Sequence, residues 1–175
     1  MRTALFLAAA LASSAAFAQT ATPVETNISG ASATIIDGSG ANVGSANMRA
    51  TPSGLVVITV SVTGLTPGWH GLHIHETGKC EPETEFKSAG GHLADGKQHG
   101  VLVEGGPHPG DLPNQMVQDD GVLVADIFTD RLTAGLIFDS DGSSIMIHSG
   151  RDDYQSQPAG DAGSRVACGV IEAAK

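Results

Sequence analysis

Val56-Val57-Ile58-Thr59-Val60-Ser61-Val62 is the stretch that decides the fold of this chain. Most of its residues are β-branched. From Ile58 onward apolar and polar side chains alternate, which is typical of a strand with one buried face. Turn-forming residues border the stretch on both sides, at 51–54 and 63–68. The pattern therefore predicts a β-strand between two turns.

Similar runs recur along the chain. No long stretch has the period of a helix together with capping residues, and several short strands between turn signals indicate an all-β sandwich or barrel. We therefore predict a single all-β domain. The predicted strands are 28–36, 43–49, 55–62, 71–75, 114–118, 122–129, 145–148 and 166–171.

The amino-terminal residues have the pattern of an export signal. A positive start at Arg2 is followed by an apolar run, and Ala16-Phe17-Ala18 fits the small-x-small pattern of a cleavage site. The run is shorter than the roughly 20 residues that a membrane-spanning helix needs. We predict a signal peptide at 1–18 (a retained amphipathic anchor is the alternative), a flexible lead-in at 19–26 and the domain at 27–175.

The charge of the chain excludes two classes of partner. It has nine basic and 19 acidic residues, a net charge of −10, which becomes −11 once Arg2 is lost with the leader. Nucleic acid and anionic membranes bind basic surfaces, so we expect neither partner for the mature protein. An anionic substrate would need local attraction.

The two cysteines, Cys80 and Cys168, indicate one structural disulfide, because an even and sparse count in an exported protein is typical of such a bond. Two unpaired buried thiols remain the alternative. In the loop-entropy model a bond between these positions is worth about 4–5 kcal/mol.

The histidines point to metal. His73 and His75 lie two apart on a predicted strand and so share one face, while His148 ends another strand. Between Cys80 and Asp111 the strand pattern is lost, and a loop this long is uncommon unless something orders it. Imidazoles with a carboxylate suit zinc, and imidazole-rich sites also suit copper. Spacing thus predicts one or two metal ions without fixing the reaction. The loop supplies His92, His99, His108 and Asp111.

Five segments, in order along the chain, resemble motifs of the Cu,Zn superoxide dismutases of the bacterial periplasmic type. GLHIHE at 71–76 resembles their copper-binding strand, and KSAGGH at 87–92 and HPGDL at 108–112 resemble the two ends of their zinc loop. HSGRDD at 148–153 resembles the last copper ligand with its acidic pair, and GSRVACGVI at 163–171 resembles the carboxy-terminal signature. The resemblance implies an eight-stranded Greek-key β-barrel or sandwich with long metal-binding and electrostatic loops, located in the periplasm.

The resemblance also implies a copper and a zinc site that share one histidine. His92 would be the bridge, and also a catalytic residue that passes a proton to the substrate. His70, three residues before His73 and so on the other face of a regular strand, is expected to be structural. The implied copper ligands are His73, His75, His92 and His148, and the implied zinc ligands are His92, His99, His108 and Asp111.

Two further residues take roles from the resemblance. Asp152 would link a copper-ligand histidine to a zinc-ligand histidine, and Arg165 would be the catalytic anion-docking residue for superoxide. A guanidinium suits that role because it stays charged and directs several donors at an oxyanion. The implied reaction converts superoxide to oxygen and hydrogen peroxide by copper redox cycling.

Some points stay open in the sequence. A copper-only enzyme and a non-catalytic copper/zinc-binding or copper-delivery protein are the alternatives. Leu93-Ala94-Asp95 stands where the family more usually has a Pro-containing stretch, so the zinc half of the site departs from the family pattern. The segment 149–163 has no lysine, which leaves Lys79, Lys87 and Lys97 as candidates to steer the substrate. The oligomeric state is open, with a homodimer one alternative.

Overall fold

The computed structural model describes residues 28–174. The predicted leader at 1–18 and the predicted lead-in at 19–26 lie outside this range. Within it, ten strands form the framework: β1 Ala31–Asp37, β2 Asn42–Ala50, β3 Val56–Val62, β4 Gly68–His70, β5 Leu72–His75, β6 Gln115–Val117, β7 Leu123–Thr129, β8 Ser144–His148, β9 Arg165–Val170 and β10 Glu172–Ala173.

The strands pair antiparallel throughout the described residues. Seven of them lie in the order β5-β8-β9-β1-β2-β3-β7, β10 pairs with β1, and β4 pairs with β6 in a separate two-stranded sheet. Several neighbours, such as β3 and β7, are far apart along the chain, which is the crossover pattern of a Greek key. The predicted all-β class is confirmed.

One apolar core lies inside the curled sheet. Along β3, Ile58, Val60 and Val62 are fully buried while Thr59 and Ser61 are exposed, as the alternation in the sequence predicts. Val117 of β6 packs into the same core, so the two-stranded sheet covers part of it. Burial of such β-branched side chains is the main stabilising contribution to the sheet.

Three elements differ from the sequence prediction. The strand predicted at 71–75 is observed as β5, but a further strand, β4, comes directly before it. Gly71 separates the two strands, which belong to different sheets. Its N–H donates to Gly150 O, and its carbonyl accepts from His148 N–H. His70 therefore does not share a strand with His73. A one-turn helix, α1 Ala134–Ile137, and β10 were also not predicted. In the described residues no helix is long and apolar enough to cross a membrane.

The long segment after β5 folds back along that strand. Ile74 N–H donates to Gly110 O at 2.8 Å, and Leu93 N–H donates to Ile74 O at 2.8 Å. Two short 3-10 turns, Pro82–Thr84 and Lys87–Ala89, lie within the segment. Backbone hydrogen bonds thus carry the histidines of the segment to the side of His73 and His75.

Candidate metal centre

Four buried histidines meet beside β5. His73 and His75 come from β5, His148 ends β8, and His92 comes from the loop and forms a β-bridge with His75. Each offers one ring nitrogen to a common point, and these atoms lie within 4.8 Å of one another. The four nitrogens are His73 Nδ1, His75 Nε2, His92 Nε2 and His148 Nε2, all buried and without a hydrogen-bond partner among residues 28–174.

The opposite nitrogen of each ring has a partner. His75 Nδ1 lies 3.1 Å from Gly90 O, and His148 Nδ1 lies 3.4 Å from Gly163 O. His73 Nε2 lies 2.7 Å from Asp152 Oδ2. Ligating imidazoles are usually fixed in this way, with the non-ligating N–H donated to a carbonyl or carboxylate. Unpartnered buried nitrogens are costly unless something binds them, so this donor set fits a metal ion that accepts imidazole nitrogen.

A second cluster shares His92. The Nδ1 atoms of His92, His99 and His108 lie 3.0, 3.0 and 3.1 Å from Asp111 Oδ1. Four ligands about 2 Å from a tetrahedral zinc ion lie roughly 3.3 Å apart, close to this spacing. Asp111 Oδ2 instead accepts the N–H groups of Gly100 and His108, which fixes the carboxylate. Three nitrogens and one oxygen thus form a donor set that fits zinc.

Asp152 joins the two clusters. Besides its contact with His73, its Oδ1 lies 3.1 Å from His99 Nε2, and the carboxylate is almost completely buried. Burial would raise the pKa of Asp152, but hydrogen bonds from His73 and His99 hold it well below its usual range. The carboxylate is therefore ionised and accepts one N–H from each cluster.

Burial also sets the charge of the first cluster. It lowers the pKa of His73 to about 4, that of His75 to about 2 and that of His148 to about 3. These three rings are neutral at physiological pH, the form that binds metal. In the second cluster burial lowers the pKa of His99, but Asp111 and Asp152 outweigh it and raise the pKa to about 9.

The chain is similar to known proteins of one family. The family model "Copper/zinc superoxide dismutase (SODC)" matches residues 42–171. The chain belongs to the copper/zinc superoxide dismutase family. It is 42% identical to a Cu-Zn superoxide dismutase of Caulobacter vibrioides over 81% of this chain and 85% of that one. A Salmonella typhimurium Cu-Zn superoxide dismutase is 38% identical over 95% of each chain. The Cu/Zn superoxide dismutase of Brucella abortus is similar in structure, with a TM-score of 0.67, 32% identity and coverage of 82% and 99%.

The structure brings together every residue that the sequence assigned to the two metal sites of this family. The first cluster has the membership expected for copper, and the second has the membership expected for zinc. The second cluster forms although Leu93-Ala94-Asp95 stands where the family more usually has a Pro-containing stretch. Leu93 is buried, and its carbonyl accepts from Gly110 N–H at 3.0 Å, which places the short connection to His99 against the loop's other end.

Arg165, the residue expected to dock the anion in this family, lies beside the first cluster. It begins β9 opposite His148 on β8. Its guanidinium donates to Phe86 O at 2.6 Å and to Gly90 O at 2.7 Å. It borders an open pocket of about 470 Å³ that Glu85, Lys87, Gly163 and Ser164 also line. Of the three lysines considered from the sequence, Lys87 thus lies at this pocket.

The predicted disulfide between Cys80 and Cys168 is confirmed, with a Cα–Cα distance of 5.6 Å. Cys168 is buried in a small cluster with Phe86, Ala89 and Met146. The bond therefore attaches the loop that supplies the two carbonyl acceptors of Arg165 to the strand that carries Arg165.

His70 lies outside both clusters. It is buried, and its ring nitrogens lie 2.5 Å from His148 O and 2.8 Å from Thr66 O. The contact with His148 O gives this histidine a structural position behind a member of the first cluster. Sequence reasoning did not find the Phe86 and Gly90 carbonyls that hold Arg165, because main-chain contacts leave no residue pattern.

Proposed function

We propose that this chain is a copper- and zinc-dependent superoxide dismutase, in which two superoxide ions and two protons give one oxygen and one hydrogen peroxide. The observation that carries the proposal is the set of four buried ring nitrogens that face one point and have no hydrogen-bond partner among residues 28–174. Membership of the family supports the reaction, and the donor atoms support the metals.

The proposed copper ligands are His73, His75, His92 and His148, and the proposed zinc ligands are His92, His99, His108 and Asp111. Bound there, copper supplies one-electron redox chemistry and zinc supplies a fixed positive charge behind His92. The protein contributes orientation, since the ring nitrogen that each histidine of the copper set turns away from that site has a carbonyl or carboxylate partner.

His92 is the residue that we assign to hold and pass a proton, at Nε2. That atom is buried, faces the first cluster and has no hydrogen-bond partner in the described part of the chain, while Nδ1 faces Asp111. The ring stacks on His73 with a centroid distance of 3.9 Å, which keeps its orientation. A ring whose orientation is fixed can hold a proton at Nε2 when that atom is not bound to metal, and can pass it to a substrate beside it.

Arg165 is proposed to bind the superoxide anion. Two of its N–H groups are held by Phe86 O and Gly90 O, so the guanidinium is oriented before substrate arrives. Burial lowers its pKa from the ordinary value, yet a guanidinium stays charged at working pH. Lys87 lines the same pocket, but Glu85 pairs with it at 2.6 Å and offsets its charge, so the local attraction is assigned to Arg165.

The proposal is tested by superoxide decay, followed by pulse radiolysis on protein loaded with one copper and one zinc. We expect catalysis by the loaded protein, and zinc loss before copper loss in His108→Ala. Loaded protein without catalysis would favour a metal-delivery role. Copper loss from His108→Ala with zinc intact would contradict the division of the ligands.

We further propose that the chain is exported to the periplasm. The pattern of residues 1–18 supports this, as does the disulfide. Expression in a Gram-negative host should give periplasmic protein that begins at Gln19, which intact-mass measurement can verify. Full-length chain retained in the cytoplasm would contradict export.

A further inference from the structure

Two side-chain amides outside the metal sets each pair with the main chain of a residue in the opposite loop. The first is Asn114, next to the end of the loop that carries the zinc set. Its Nδ2 donates to Asp152 O at 2.8 Å, and its Oδ1 accepts from Asp152 N–H at 2.8 Å. Both residues are buried. An amide that satisfies both main-chain groups of one residue fixes that residue's position as a strand partner would.

The second amide belongs to the loop that carries Asp152 and pairs with a residue of the loop that carries the zinc set. Gln157, in the loop that carries Asp152, donates from Nε2 to His99 O at 2.8 Å, and its Oε1 accepts from His99 N–H at 3.0 Å. Thus each loop contributes one amide that holds one residue of the other loop. His99 belongs to the second cluster, and its ring is fully buried.

The two residues held in this way are in contact through their side chains. His99 Nε2 lies 3.1 Å from Asp152 Oδ1, and the other oxygen of Asp152 lies 2.7 Å from His73 Nε2. Gly160 packs directly against the pair: a Cβ at that position would lie 2.0 Å from Asp152 Oδ1 and 2.6 Å from His99 Nε2. The pair is therefore enclosed as well as held at both main chains.

We propose that Asn114 and Gln157 are positioning residues that form a reciprocal clamp and set the Asp152–His99 contact between the two metal sites. Both loops are mainly irregular, so no continuous strand register fixes their relative position. The clamp supplies that register where Asp152 contacts His73 of the copper set and His99 of the zinc set. This inference rests on the zinc set proposed above.

The test measures zinc release from the copper- and zinc-loaded protein to a chromogenic chelator. Changes next to a metal ligand typically weaken binding by about 10- to 100-fold. The clamp acts one contact further away, so we expect zinc release to be about tenfold faster in Asn114→Leu. In Gln157→Leu we expect release to be about threefold faster, because Gln157 is exposed. Gln155→Leu, at an exposed glutamine of the same loop, is the matched control and should release zinc at the wild-type rate.

Two measurements separate positioning from general stabilisation. With copper reduced, NMR should detect faster solvent exchange of the His99 Nε2 proton in both Leu variants. In an Asp152→Ala background the same substitutions should change zinc release by less than about twofold, because the contact that they position is gone. If the Leu variants do not fold, Asn114→Asp and Gln157→Glu carry the test, since each keeps the acceptor half of the pair and loses the donor half.

Three outcomes would overturn the clamp. Wild-type protein that holds no zinc would overturn the zinc set and the clamp with it. Zinc-loaded variants with wild-type release and wild-type proton exchange would overturn the clamp alone. Variants whose faster release persists undiminished in the Asp152→Ala background would assign both amides to general stability.

Discussion

Asp111 uses its two carboxylate oxygens for different purposes. Oδ2 accepts two backbone N–H groups, and this leaves Oδ1 to face three imidazoles. Burial would raise the pKa of Asp111, but hydrogen bonds from His92 and His99 hold it well below its usual range. His99 lies between this carboxylate and Asp152, and the pair raises the pKa of His99 to about 9. In the metal-free protein His99 is therefore protonated at neutral pH.

Zinc affinity should consequently depend on pH. A raised pKa means that His99 Nδ1 must lose its proton before it can bind, so apparent affinity should rise by about tenfold per pH unit from pH 7 to about 9 and then level off. Competition titrations against a zinc chelator measure this, and calorimetry in buffers of different ionisation enthalpy counts the proton released. Asp152→Asn removes one of the two carboxylates, so its plateau should begin at lower pH. A flat wild-type profile from pH 7 to 9 would contradict the assignment.

At the scale of elements, the strands were predictable and the connections were not. Period-two patterns placed eight strands with ends within three residues of the observed ones, since one buried face leaves a strong signal. The break at Gly71 depends on backbone hydrogen bonds to Gly150 and His148, which no pattern encodes. Helix α1 is too short to show a period. The residues of the two metal clusters were predicted because the resemblance supplied them, whereas spacing alone predicted one or two metal ions of unspecified role.

The loop after Cys80 gives an element-scale prediction. The disulfide attaches this loop to β9, and its Phe86 and Gly90 carbonyls hold Arg165, while His73, His75 and His148 lie on strands or at a strand end. The double variant Cys80→Ser/Cys168→Ser should lose about 4–5 kcal/mol of unfolding free energy in denaturant titrations. Its superoxide rate should fall several-fold with copper content retained, because Arg165 loses its fixed acceptors. Unchanged unfolding free energy would show that the bond contributes nothing to the fold.

The whole molecule carries a charge that opposes its substrate. The net charge of −10 repels superoxide at long range, and Arg165 places positive charge beside the first cluster, opposite His148. Electrostatic steering, for which superoxide dismutases are a known example, can raise association rates by about 10- to 1,000-fold. The effect of charge beside the metal site can be separated from the effect of net charge by reversing one charge at the site and, in a second variant, one charge far from it.

Arg165→Glu and Arg49→Glu change the net charge equally. Arg49 is exposed on β2, three strands from β8, whereas Arg165 is at the site. Arg165→Glu should bind both metals, since Arg165 belongs to neither cluster, but its superoxide rate constant should fall by at least about tenfold. Salt should slow the wild type and should not slow Arg165→Glu, because screening weakens attraction in one and repulsion in the other. Arg165→Lys should keep part of the rate.

Pulse radiolysis at several ionic strengths measures both the rate constant for superoxide and its dependence on salt. If local charge controls approach, Arg49→Glu should keep the wild-type rate within about twofold and the same sign of salt slope, since a charge farther from the pocket than the Debye length of about 10 Å at 0.1 M is largely screened. Equal losses in Arg49→Glu and Arg165→Glu would mean that net charge alone governs approach. A wild-type rate and salt slope in Arg165→Glu would mean that this guanidinium, although oriented by two carbonyls beside His148, does not meet the substrate.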